Sequence, residues 1–149
     1  GGELFVSGRA KDVVIIRGAN RAPQHFENAL LGVEGVRTGC AVAVGYQPDG
    51  GAEELLLLVE RRPGAGGLEE RCHRAVLEAT GVAPHRVVVL EPGTLPRTSS
   101  GKLRRREALR RYLTGTLTAP PRPGLVRLGL QLLRGRLQLW RARAQGRVA

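Results

Sequence analysis

Apolar residues in this chain fall into short runs and helical stripes that alternate along its length. Residues 4–6 (LFV) and 13–16 (VVII) are apolar runs joined by the polar stretch SGRAKD, a pattern that predicts a hairpin. Pro23 suits the first turn of a helix, where its missing N–H costs nothing, and Phe26, Leu30 and Val33 follow at helical spacing. Residues 40–45 read as a strand, and 54–60 as another whose unbroken LLLLV implies burial on both faces. After a flexible GAGG at 64–67, Leu68, Cys72, Val76 and Ala79 mark one face of a second helix, which Gly81 ends. Residues 86–90 (RVVVL) supply a third strand for the sheet, and Leu109, Tyr112 and Leu113 form the apolar side of a third helix beginning just after Lys102. The expected fold class is α+β: a short hairpin and a roughly three-stranded sheet covered by helices. PPRPG at 120–124 breaks the chain. The division expected is a domain over 1–118 and a Pro-broken, Arg-rich tail, amphipathic or disordered, over 119–149.

Composition narrows this picture. A chain of 149 residues holds one domain with a real core and some extra length. With only 3% aromatic residues, that core must be built from Val, Leu, Ile and Ala. Cys40 and Cys72 sit in apolar surroundings without metal-site spacing, which favours two buried thiols in a reducing cytoplasm over a disulfide. No apolar run approaches the ~20 residues of a membrane span. The opening GGELFVSGR, in a chain with no Met, reads as the middle of something longer. The net charge of +11 is uneven: residues 120–149 carry seven arginines and no acid, whereas the first 119 residues have a net charge of +4. A global inference from basic charge to nucleic acid therefore fails for the domain itself.

The chain writes arginine at twenty-two of its twenty-four basic positions and lysine only at Lys11 and Lys102. Lys102 lies in PRTSSGK, a loop of small and hydroxyl residues. It is not a nucleotide P-loop, because Pro96 stands where the first glycine belongs and Leu103 replaces the metal-binding hydroxyl. A loop-borne ammonium is a compact charge on a flexible stem, suited to bringing two anions together. Joining a carboxylate to the α-phosphate of ATP is such a case, and one lysine there supplies a few kcal/mol, on the order of one oxyanion contact. The plain alternative is a solvent-exposed loop lysine.

PRTSSGKLRR closely resembles the C-terminal signature of the acyl-adenylate-forming (AMP-dependent synthetase/ligase) superfamily, which includes acyl-CoA synthetases, luciferases and peptide-synthetase adenylation domains. GRAKDVVIIRG at 8–18 resembles the stretch joining that family's large N-terminal domain to its small, mobile C-terminal one. The two motifs stand in the right order about ninety residues apart, and the resemblance covers residues 1 to about 118. It implies a catalytic Lys102 touching the carboxylate and α-phosphate, a hinge at Lys11, nucleotide binding by Arg9, and a loop at Arg17 and Gly18 facing the pantetheine tunnel. For Gly18 an ordinary turn is the alternative, and for Arg9 a salt bridge with Asp12 or Glu3. IIRGANRAPQHFE is further similar to fatty acyl-AMP ligases in the spacing of Arg17, Gly18, Asn20, Pro23 and Gln24, departing at Ala22, where those ligases place an aromatic residue. The implied activity is formation of acyl-AMP from a fatty acid, then transfer to the phosphopantetheine of an acyl carrier protein or to coenzyme A. ATP and Mg2+ would be held mainly by the N-terminal core, so this piece alone is expected to be inactive.

The remaining candidates carry less. His25, His73 and His85 share no ligand spacing, so no metal site is expected. Arg104, Arg105, Arg106, Arg110 and Arg111 read as a solvated helix face, nucleic-acid binding being disfavoured without stacking aromatics. Ser99 and Ser100 read as loop and helix-cap residues. The tail, with Leu125, Leu128, Leu132, Leu139 and Trp140 among arginines, is expected either to be disordered or packed, or to touch an anionic membrane or partner. The rival function is thus a non-catalytic module binding through that tail, and the expected location is cytoplasmic with peripheral membrane contact open.

Overall fold

A computed structural model describes residues 13–119, all within the first of the two units into which the chain divides, Gly1–Ala119. Strand β1 (Val14–Ile16) pairs antiparallel with β2 (Ala19–Arg21), Ile16 opposite Ala19. The two residues between them, Arg17 (φ 50) and Gly18 (φ 76), both have positive φ, the mark of a type I′ turn. This β1–β2 hairpin is one the apolar pattern did not single out, and the expected hairpin between residues 4–6 and 13–16 is not tested by it. Two-residue connections twist as strands twist, and a glycine at the second position makes one available here. Residues 4–6 lie outside the described residues.

Helix α1 (Pro23–Ala29) starts where proline allows it to. Ala22 is extended (φ −71, ψ 133), as a residue before proline must be, and Pro23 occupies the first turn. Phe26 and Leu30 are driven into the core, 0% and 1% exposed. The sheet then runs β3 (Val36–Tyr46), β4 (Glu54–Arg61) and β5 (Arg86–Leu90), with β4 central, antiparallel to β3 and parallel to β5. Leu57 stands opposite Ala43 on one side and Val87 on the other. Helix α2 (Leu68–Thr80) supplies the crossover that a parallel pair requires. Gly81, in the left-handed region (φ 71), ends it.

Because β4 is covered on both faces, its alternate side chains enter two different cores. Leu55, Leu57 and Val59 pack with Phe26, Leu30, Leu68, Cys72 and Val76 beneath α1 and α2. Leu56 and Leu58 pack with Val42, Val44, Leu90, Leu95 and Ala108 beneath α3 (Arg105–Leu113). The LLLLV run is thus buried throughout, as expected. Two expected stripe positions differ. Ala79 is exposed, because the last turn of α2 is left uncovered. Leu113 is 62% exposed, because it lies about 140° around α3 from the buried Ala108.

Strand β3 is longer than its apolar run implied. It begins at Val36, and its register against β4 shifts between Val36 and Ala41, a bulge that contains Gly39 (φ 67). Both cysteines are buried free thiols, and burial pushes Cys72 up to about 11. Among the described residues no helix is long and apolar enough to cross a membrane.

Candidate active site

Lys102 is carried by a closed turn rather than a loose loop. The amide of Gly101 donates to the Thr98 carbonyl at 2.9 Å, with Gly101 at φ 84. The Thr98 amide donates to the Lys102 carbonyl at 2.8 Å, and the Lys102 amide returns to Thr98 Oγ1 at 3.0 Å. Arg97 and Leu103 then form an antiparallel bridge, and the Arg104 amide donates to Pro96 O at 2.9 Å. These bonds leave the lysine side chain at the tip, exposed, and no carboxylate among the described residues forms a salt bridge with it.

Ser99 and Ser100 stay in this turn. The residue capping α3 is Arg104, without a side-chain cap bond, so the expected capping role is not filled. Ser100 Oγ instead lies 2.9 Å from Thr98 Oγ1. The third helix accordingly begins two residues later than a start just after Lys102, since Leu103 and Arg104 are spent closing the turn.

The turn is anchored from below by a carboxylate that its position in a run of leucines concealed. Glu60, at the end of β4, is 0% exposed and shares its face with Leu56 and Leu58. Its Oε1 accepts the Leu95 amide at 2.8 Å, and its Oε2 accepts Arg37 Nη1 at 2.9 Å. Burial pushes this carboxyl upward, but the Leu95 and Gly93 amides, Arg37 and the Cys40 thiol outweigh it and hold the group below the ordinary 4.5. The neighbouring Cys40 thiol is raised, by burial first and by the Glu60 charge second. It is a thiol hydrogen-bonded in a polar cluster.

Arg105 corrects the expectation of a wholly solvated arginine face. Its Nε and Nη2 grip Glu27 Oε1 and Oε2, each at 2.7 Å, with side chains only 20% and 15% exposed. Glu27 Oε1 also accepts the Ala43 amide at 3.1 Å, so one carboxylate ties α1, α3 and β3 together. Arg110 and Arg111 both close on Glu107. Arg104 and Arg106 remain exposed and, with Leu103 and Arg110, line an open basic groove of about 670 Å3 beside Lys102.

Arg17 and Gly18 form the hairpin tip, both exposed, and an added Cβ on Gly18 would meet nothing within 4 Å. The turn conformation alone accounts for the glycine. Arg9 and Lys11 lie outside the described residues, as does the tail from residue 120. His25 and His85 make edge contacts with Phe26 and Tyr46.

No family model matches the chain. Individual proteins do. A Mycobacterium tuberculosis protein named only as a ligase is 44% identical over 110 residues, covering 70% of this chain and 20% of its own length. A long-chain-fatty-acid–AMP ligase of Mycolicibacterium smegmatis is 34% identical over 143 residues, covering 79% of this chain and 23% of its own. Among solved structures, one from a study of fatty acyl-adenylate ligases of E. coli and L. pneumophila superposes with a TM-score of 0.61 at 32% identity, over 73% of this chain and 20% of that one. With this fold and these relatives, the chain belongs to the acyl-adenylate-forming superfamily, and is most like the C-terminal domain of fatty acyl-AMP ligases. It spans about a fifth of the length of the curated relatives it matches. A non-catalytic binding module is not favoured by them.

Proposed function

We propose that this chain is the mobile catalytic domain, over 1–118, of an ATP-dependent ligase that activates a fatty acid as acyl-AMP and passes it to a thiol. ATP supplies an activated α-phosphorus. A carboxylate oxygen attacks it, the bond to pyrophosphate breaks, and negative charge grows on the phosphoryl oxygens. The ammonium of Lys102 offsets that charge from its exposed tip, while Arg104 and Arg106 keep the approach positive. The observation that carries this reading is the geometry of Lys102: a cation without a carboxylate partner among the described residues, on a turn closed by three backbone–backbone hydrogen bonds and one from the Lys102 amide to Thr98 Oγ1. The names of the relatives support the fatty substrate.

The second half-reaction needs the lysine withdrawn. In this reading Lys11 is the hinge and Arg9 a nucleotide contact. The hairpin tip of Arg17 and Gly18 then faces a phosphopantetheine arm, of a carrier protein or of coenzyme A. Mg2+ and most of the ATP would be held by an N-terminal core. The reading places the reaction in the cytoplasm, where the two thiols stay reduced.

Lys102→Ala in the full-length ligase is expected to lower acid-dependent pyrophosphate release by about a hundredfold or more, the scale of one transition-state contact. Acyl transfer from preformed acyl-AMP is expected to survive. Equal loss in both half-reactions would remove the role given to Lys102.

A further inference from the structure

Arg97, two residues after the Glu60-anchored Leu95, makes an unusual set of contacts for an exposed arginine. Its Nη1 donates to Gly101 O at 2.8 Å, the carbonyl immediately before Lys102. Its Nη2 donates to Gly39 O at 3.2 Å and to Cys40 Sγ at 3.0 Å. Both of those acceptors belong to the β3 bulge, where the register against β4 shifts and Gly39 has φ 67. Within the same cluster Arg37 and the Leu95 amide share the buried Glu60. The bulge and the lysine turn are more than fifty residues apart in sequence, and this one guanidinium joins them.

We propose that Arg97 is a positioning residue for Lys102, clamping the lysine turn to the β3 bulge so that the ammonium is presented in one place. The inference rests on the adenylating role given to Lys102 above. The clamp acts on geometry rather than charge. A planar fork can hold Gly101 O from one nitrogen and the bulge from the other, which a single ammonium cannot do. A loosened turn would leave Lys102 in place but spread its positions, and misplacing a catalytic group by about 1 Å costs on the order of a hundredfold.

The test is a double-mutant cycle in the full-length ligase with dodecanoic acid and MgATP, read as acid-dependent ATP–pyrophosphate exchange. A parallel assay follows acyl transfer from preformed dodecanoyl-AMP. Arg97→Ala is expected to lower kcat for exchange about tenfold to a hundredfold with KM values within about twofold, and to leave transfer at the parent rate. Arg97→Lys should stay nearer to alanine than to arginine. The deciding comparison is the double variant. If Arg97 works through Lys102, Arg97→Ala adds no more than about twofold to the loss already caused by Lys102→Ala. A full multiplicative loss on the Lys102→Ala background would overturn the clamp, as would an equal fall in both half-reactions with a lowered unfolding midpoint. Unimpaired exchange by Lys102→Ala alone is a separate outcome: it would overturn the adenylation reading and take the clamp with it.

Discussion

Glu60 shows what a single residue contributes when burial and hydrogen bonding oppose each other. Desolvation pushes this carboxyl upward, yet two amides, Arg37 and the Cys40 thiol hold it below its ordinary range. Glu60→Gln keeps the shape and removes the charge, and it turns an amide NH2 toward donors that need an acceptor. It is expected to destabilise the chain by about 2 kcal/mol, read as a lower urea midpoint at pH 7. Gly101 is a different case. Its φ of 84 is strained for any L residue, but an added Cβ meets nothing within 4 Å. Gly101→Ala therefore costs only the backbone strain, about 1 kcal/mol, and the chain should still unfold as a cooperative unit in the same titration. Lys102 was legible because lysine is rare in this sequence. Glu60 and Arg97 were not, because a carboxylate closing a strand and an arginine before a turn look the same whether solvated or bound.

At the scale of elements, periodicity carried most of the information. Pro23, the LLLLV run and Gly81 each announced an element boundary or a buried strand, and each lies where the physics of proline, two-sided burial and left-handed caps puts it. The sequence could not reveal which charged residues join elements. Arg105 reads as one of several arginines on a helix, and only the fold brings Glu27 of α1 to it. Glu27→Ala leaves a mostly buried guanidinium and the Ala43 amide without this acceptor, so about 2 kcal/mol of stability should be lost in urea unfolding at pH 7. Glu107 offers a pH signature on the same helix. Hydrogen bonds from Arg110 and then Arg111 lower its pKa from 4.5 to about 2. A carboxylate with a depressed folded pKa contributes stability above its unfolded pKa and loses it as pH falls through the folded one. Its contribution should therefore be present above about pH 4.5 and fade toward pH 2. Glu107→Gln is expected to flatten that part of the acid-unfolding profile while leaving the neutral limb's shape unchanged.

For the molecule as a whole, the site's chemistry and its container are separable. The described residues present a lysine, a positive approach and a hairpin tip, all on exposed turns. The cleft between α1 and β3 lined by Leu30, Leu31, Val36 and Ala41 holds about 190 Å3, below the 300 Å3 or so at which small-molecule pockets begin. The basic groove beside Lys102 is larger but open and polar, unsuited to an acyl chain. One lysine contributes about two or three orders of magnitude to a reaction that also needs its two anionic substrates held in line, and holding them is worth more than the lysine. The 149-residue chain by itself, given MgATP and dodecanoic acid, is therefore expected to release no pyrophosphate above the protein-free background. Release abolished by Lys102→Ala would mean that the chain contains a complete adenylation site, and that the residues outside 13–119 supply the acyl pocket. Its absence would leave the chain a catalytic lid, active only on a core that binds both substrates.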